Sequence, residues 1–135
     1  MNSQALAEEL GQLHVGFAKV FNLEETFLAH GSDRILIWLN QKHDTVYASD
    51  IVSQFHLTPG RVANILKQLE LKKMIMRVRD ESDLRKYKIE VTEKGRAKAN
   101  ESWQKMLDGF ENLMNRLEED DAEKLLQLLK KIAKL

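Results

Sequence analysis

Apolar residues recur along the chain with two different periods, and the switches between those periods outline its elements. Leu6, Leu10, Leu13, Phe17 and Phe21 stand at steps of four and three, which predicts an amphipathic helix over residues 2–22. Residues 24–31 ("EETFLAHG") either extend it or form a connector ending at Gly31. "SDRILIWLNQK" (32–42) predicts a short, largely buried helix with Ser32 as its N-cap. "TVYASDIVSQF" (45–55) opens on β-formers and passes into a second short helix, with Ser49 capping and Asp50 in the first turn. The clearest helix start lies in "HLTPGRVANILKQLELKK" (56–73). Thr58 is the N-cap, Pro59 occupies the first helical position, and Val62, Leu66 and Leu69 follow on one face. Only His56 and Leu57 part this cap from the preceding helix, so the pair predicts a helix-turn-helix.

The period then changes to two. "MIMRVR" (74–79) sets Met74, Met76 and Val78 opposite Arg77 and Arg79, and "YKIEV" (87–91) sets Tyr87, Ile89 and Val91 opposite Lys88 and Glu90. Both predict half-buried antiparallel strands. The charged stretch between them holds neither Gly nor Pro, which excludes a tight two-residue hairpin turn. Thr92 then caps a long helix to about residue 117, with Trp103, Met106, Phe110, Leu113 and Leu117 on one stripe. "EEDDAEKLLQLLKKIAKL" (118–135) opens acidic and closes basic, as a helix dipole favours, and carries Leu125, Leu128, Leu129 and Ile132.

This order predicts a mainly α fold with a small antiparallel β hairpin (α+β): a winged helix-turn-helix with helical extensions at both ends. The extensions cannot bury their stripes on so small a core. Leu6, Leu10, Leu13, Phe17, Trp103, Phe110, Leu113, Leu117, Leu128 and Ile132 are therefore expected to pack against a second copy in a symmetric homodimer. The expected organisation is one domain over residues 1–135, with dimerisation helices at 1–31 and 97–135 around a winged helix-turn-helix region at 32–96.

Formal net charge is zero, which taken globally says nothing of a nucleic-acid partner. Its distribution does. Residues 1–60 carry three cations against seven acids, 61–100 carry twelve against six, and 101–135 carry six against eight. The middle third is the candidate electrostatic footprint.

These motifs together resemble the MarR family of bacterial transcriptional regulators. The carrying residues are "LTPGRVANILKQLE" (57–70), "MIMR" (74–77), "DLR" (83–85) and "VTEKG" (91–95). In the family, an arginine closing the first wing strand precedes a D-x-R motif by six residues. Here Arg77 precedes Asp83 by six and Arg85 completes the motif. One position departs: where the family usually has Gly at the exit of the recognition helix, this chain has Lys73, which puts the helix end in question.

The resemblance implies a recognition helix in the major groove of double-stranded DNA and a wing in the minor groove. Thr58, Arg61, Asn64, Lys67 and Gln68 are the candidate DNA contacts on the helix. Arg61 suits guanine, and Asn64 or Gln68 suits adenine. Arg77, Arg79, Arg85, Lys86 and Lys88 are the candidates on the wing, Arg79 and the two lysines for phosphate. Asp83 is expected to pair with Arg77 or Arg85 and hold it for insertion, whereas Asp80 and Glu81 read as solvated loop residues. Family likeness also implies a small aromatic or amphipathic ligand. Phe17, Phe21, Phe27, Trp38, Trp103 and Phe110 fit core packing better than a pocket lining.

Other chemistry finds little support. His14, His30, His43 and His56 share no metal-ligand spacing, and no nucleophile or phosphate-loop motif occurs, so neither enzyme, metal nor cofactor is expected. With no cysteine, no long apolar run and no basic leader, the expectation is a cytoplasmic protein without a membrane span. The competing class is a winged-helix protein-interaction module that does not read DNA sequence.

Overall fold

The structure, a computed structural model, describes residues 1–21 and 31–134, and their side chains except at 14–21. Its elements are α1 (Ser3–Phe21), α2 (Gly31–Gln41), α3 (Ala48–Phe55), α4 (Pro59–Leu71), β1 (Ile75–Arg79), β2 (Tyr87–Val91), α5 (Glu93–Met114) and α6 (Glu119–Ala133). They form a mainly α fold with one two-stranded antiparallel hairpin. Two compact units divide the chain, one of residues 1–27 with 105–135 and one of residues 28–104. The expectations for Phe17, Phe21, Phe27, His14, His30 and the connector before Gly31 lie outside what is described.

The core belongs to the unit of residues 28–104. Ile35, Leu36 and Leu39 of α2, Ile51 of α3, Val62, Leu66 and Leu69 of α4, and Ile75 and Ile89 of the hairpin are buried together. Each such side chain taken from water contributes roughly 1.5–3 kcal/mol. Trp38 meets Phe55 edge-on at the margin of this cluster, 5.8 Å between ring centroids. That outcome agrees with the packing role read from its sequence position.

The helix starts follow local hydrogen bonding, and two differ from expectation. α2 already includes Gly31, so Ser32 lies in its first turn rather than at the cap. α3 begins at Ala48, with extended Tyr47 as the N-cap in place of Ser49. The reason is tertiary: the Val46 carbonyl accepts the Ile89 N–H at 2.9 Å, which keeps the chain extended up to Tyr47. Tyr47 lacks a short acceptor, so Asp50 reaches back and accepts the Tyr47 N–H at 2.9 Å. At α4, Thr58 caps as expected, its Oγ1 accepting the Arg61 N–H at 3.2 Å with Pro59 next in line.

The exit from α4 resolves the Lys73 departure. Lys73 adopts φ 61°, the left-handed conformation that Gly would take at no steric cost. Its N–H donates to Glu70 O at 2.9 Å and the Met74 N–H donates to Leu69 O at 2.9 Å. This is a Schellman cap built on lysine. It consumes Met74, so β1 starts at Ile75 and its facing inverts relative to the expected one. Ile75 is 1% exposed and Met76 52%. The register pairs Ile75 with Val91, Arg77 with Ile89 and Arg79 with Tyr87, so both arginines share the inner face. Met76 and Val78 lie on the outer face with Glu90 and Lys88.

Thr92 joins three elements. Its Oγ1 donates to Lys73 O at 2.6 Å and accepts the Gly95 N–H at 3.0 Å, and its own N–H donates to Met74 O at 3.1 Å. The approach is so close that a Cβ on Gly95 would stand 1.9 Å from Met74 O. α5 is slightly shorter than expected, ending at Met114. Tighter bonds (Arg116 N–H to Leu113 O, Leu117 N–H to Met114 O) follow, and they put Leu117 in the turn.

The other unit has the opposite character. α6 opens with Glu119, Asp120 and Asp121 and closes with Lys130 and Lys131, yet it buries no residue. Leu6, Leu10 and Leu13 on α1 and Leu128 and Ile132 on α6 are all exposed. Among the described residues, no helix is long and apolar enough to cross a membrane.

Two substitutions test the junction. Lys73→Gly should stabilise the protein by about 0.5–1 kcal/mol, because the left-handed residue is then free of strain. Gly95→Ala should cost roughly 1–3 kcal/mol through collision with Met74. Urea denaturation measures both, and an unstabilised Lys73→Gly or a silent Gly95→Ala contradicts the geometry.

Candidate nucleic-acid interface

α4 presents a polar face because its apolar residues are spent on the core. Val62, Ile65, Leu66 and Leu69 are buried, whereas Thr58, Arg61, Asn64, Lys67 and Gln68 are exposed. Arg61, Asn64 and Gln68 line one cleft of about 500 Å³ with Ser32, Lys72 and Lys98. Lys67 lies nearer the middle of the exposed face, by the 3.6-residue period. On the far flank Glu70 accepts from Arg77 Nε at 2.9 Å. The helix and the first wing strand are therefore linked by charge as well as by the backbone.

That pairing answers one expectation. Asp83 was expected to hold Arg77 or Arg85; Arg77 belongs to Glu70, and Asp83 holds Arg85. Its Oδ1 accepts from Arg85 Nε at 3.2 Å and from the Arg85 N–H at 3.1 Å. The Arg85 side chain remains 92% exposed, so the pair orients it without hiding it.

Arg79 donates from its guanidinium to the Tyr87 hydroxyl at 2.9 Å and lies 5.4 Å from that ring's centroid. Lys86 stands 5.3 Å over the Tyr47 ring. Lys88 is half-buried on the outer face of the hairpin, apart from Arg77 and Arg79. The candidate wing cations thus divide between two faces and the tip.

Asp80 contradicts its reading as a solvated loop residue. It is 4% exposed. Its carboxylate accepts from the Tyr47 hydroxyl, from the Ser82 N–H at 2.8 Å and from Ser82 Oγ at 2.7 Å. Its N–H donates to Lys86 O at 2.9 Å, and the Lys86 N–H donates to Asp83 O at 3.0 Å. The loop needs no glycine because Asp80 and Asp83 both accept main-chain N–H groups two residues on. No loop residue takes a positive φ. Asp80-x-Ser82 is a legible local motif, but the partner Tyr47 is thirty-three positions away and no spacing reveals it.

His56 is exposed and takes φ 52°, closing α3 in the left-handed conformation of the helix-turn-helix turn. No group of metal-ligating residues forms among the described residues.

Comparison with known proteins places this geometry. The sequence profile of the family described as transcriptional regulator SarA/Rot matches residues 34–102, about half of the chain. No curated protein sequence matches it. Among solved structures, a Staphylococcus aureus MepR–DNA complex aligns with a TM-score of 0.70 at 23% identity, covering 100% of this chain and 99% of that one. MarR aligns with a TM-score of 0.71 at 18% identity, covering 95% of each chain. Bordetella bronchiseptica BpsR, whose DNA binding is regulated by 6-hydroxynicotinic acid, aligns with a TM-score of 0.69 at 16% identity, covering 99% and 94%. At these identities the likeness is one of fold.

The Tyr47–Asp80 contact sets a pH dependence. The Tyr47 hydroxyl first, then the Ser82 hydroxyl and N–H, hold the Asp80 carboxyl well below the usual carboxylate range. The same bond is the main reason the Tyr47 phenol is pushed up. A depressed carboxyl adds stability that is complete above the unfolded value, about 4, and is lost as pH falls toward the folded one. A raised phenol adds stability that is complete below about 10 and is lost as pH rises through the folded value. Asp80→Asn should therefore flatten the acid limb of a plot of urea midpoint against pH, and Tyr47→Phe the alkaline limb. Limbs that match the wild type would sink the contact.

Proposed function

The chain belongs to the SarA/Rot family of transcriptional regulators, and from that premise we propose that it is a homodimeric, sequence-specific repressor that binds double-stranded DNA. The observation that carries this reading is the polar face of α4, with Arg61, Asn64, Lys67 and Gln68 exposed over a buried apolar face beside an arginine-bearing wing. Arg61 is suited to guanine O6 and N7, and Asn64 and Gln68 to adenine, in the major groove. Arg85 is the wing residue for a narrow minor groove, which favours a pre-oriented arginine. Arg77, Arg79, Lys86, Lys88 and Thr58 serve backbone positioning. The solved MepR–DNA complex shares this fold and supports DNA as the partner.

The second copy follows from what the helical unit leaves uncovered. Leu6, Leu10, Leu13, Phe110, Leu117, Leu128 and Ile132 are each at least 40% exposed. Regular apolar stripes left this exposed call for a covering partner. Two-fold pairing of these helices, joined by Trp103 and half-buried Leu113, would set two α4 helices for half-sites about 34–36 Å apart. A small aromatic ligand relieves the repression; the regulation of BpsR by 6-hydroxynicotinic acid supports that class of effector.

Selection of bound duplexes from a random pool should enrich a pseudo-palindrome with half-sites one turn apart. A folded dimer that enriches nothing overturns the proposal in favour of a protein-interaction module. On the selected duplex, Arg61→Ala should lose roughly 1–3 kcal/mol of binding and relax preference at one base pair. Arg85→Ala should weaken binding while changing stability by no more than about 1 kcal/mol, since its ion pair is solvent-screened. Affinity should also fall steeply with salt, and removing one phosphate contact such as Lys86 should lower that slope by about one.

A further inference from the structure

The wing is a two-stranded ribbon, and a ribbon of that kind has little stiffness of its own. Its outer end is tied to the helix-turn-helix through the side chain of Tyr47. Tyr47 is locked to that frame on both sides. The neighbouring Val46 carbonyl accepts the Ile89 N–H at 2.9 Å, the Tyr47 N–H donates to Asp50 Oδ2 at 2.9 Å, and the Tyr47 carbonyl accepts the Asp50 N–H at 3.0 Å. From this anchored position the phenol donates to Asp80, at the point where β1 gives way to the wing loop.

The internal bonds of the loop radiate from that same residue. Asp80 gathers Ser82 through its carboxylate and Lys86 through its N–H; Lys86 in turn closes on Asp83, and Asp83 carries Arg85. The lysine ammonium over the Tyr47 ring adds a second contact between the same two parts. A carboxylate this buried is costly unless its acceptor positions are filled, so the phenol cannot leave without exposing Asp80 or stranding it.

We propose that Tyr47 is a positioning residue for DNA recognition: through Asp80 it fixes where the wing presents Arg85, without itself touching DNA. This inference rests on the DNA-binding reading above. It distinguishes the acids of the wing by task, with Asp83 aiming one arginine and Asp80 aiming the loop that bears it. The groups facing the contact are Asp50, Asp83, Lys86 and Lys88, and none of them replaces the phenol as a donor to the carboxylate among the hydrogen bonds of the described residues.

A double-mutant cycle on the selected duplex tests it. Tyr47→Phe keeps the ring under Lys86 and removes only the hydroxyl, and affinity should fall roughly threefold or more at fixed salt. In an Arg85→Ala background the same change should cost less than about twofold, because the residue being positioned is gone. Equal losses in both backgrounds would mean a general effect on the fold and overturn the proposal. So would a Tyr47→Phe protein that binds like wild type while Arg85→Ala binds weakly. A wild-type dimer that binds no duplex defeats the DNA-binding reading instead. Should Tyr47→Phe not fold, Ser82→Ala enters the same cycle, since it removes a donor to Asp80 from the loop side. Additivity there overturns the proposal equally.

Discussion

Three elements meet at the Met74 carbonyl, and the unit of residues 28–104 depends on how closely they meet. The oxygen accepts the Thr92 N–H at 3.1 Å, while the Thr92 hydroxyl spans from Lys73 O to the Gly95 N–H. One threonine thereby ends α4, starts α5 and fixes the register of the hairpin between them. The 1.9 Å that would separate a Gly95 Cβ from Met74 O explains why a residue without a side chain stands there. Lys73 accepts a left-handed backbone for the same reason: the chain must reverse within two residues to bring Met74 onto Thr92. Such a residue costs about 1–2 kcal/mol of strain, which the two bonds of the Schellman cap and the burial of Ile75 offset.

Much of this was legible in the sequence where a short-range rule applied. Thr58-Pro59 marks the start of α4, and the spacing of Val62, Leu66 and Leu69 assigns its buried face, because capping and helical period act over a few residues. Thr92 and Gly95 marked the start of α5 equally well. Failures cluster where a distant partner decides. The facing of β1 inverts because the cap consumes Met74, and in a run such as Met-Ile-Met either parity offers an apolar residue to the core. Ser49 lost the capping position because Val46 is tied to a strand more than forty residues away. Asp80 resembled any loop acid until Tyr47 arrived from another element.

The two units differ in how they use the same amphipathic pattern. In the unit of residues 28–104 the stripes of α2, α3 and α4 close on one another, with Ile35, Leu36, Ile51, Val62 and Leu66 at 2% exposure or less. In the other unit the stripe of α6 is as regular, yet Leu128 and Ile132 are 58% and 78% exposed. Periodicity states that a face must be covered but not by what. That is why an identical sequence signal yields a finished core in one unit and an unfinished surface in the other.

Acids on the wing present the same kind of problem in electrostatics. On the DNA-binding reading proposed above, phosphate repels a carboxylate on the wing, and this short loop carries three of them. Two are committed elsewhere. Asp80 is buried behind the Tyr47 hydroxyl, and Asp83 spends its Oδ1 on the main chain and side chain of Arg85. Both also supply the turn acceptors that let the loop reverse without glycine, which leaves its backbone stiffer than a glycine turn would be. The negative charge therefore works inward, on conformation, while the Arg85 guanidinium faces outward at 92% exposure. A loop of lysine and glycine would carry more positive charge but hold it in no particular direction, and a groove discriminates by direction as much as by charge.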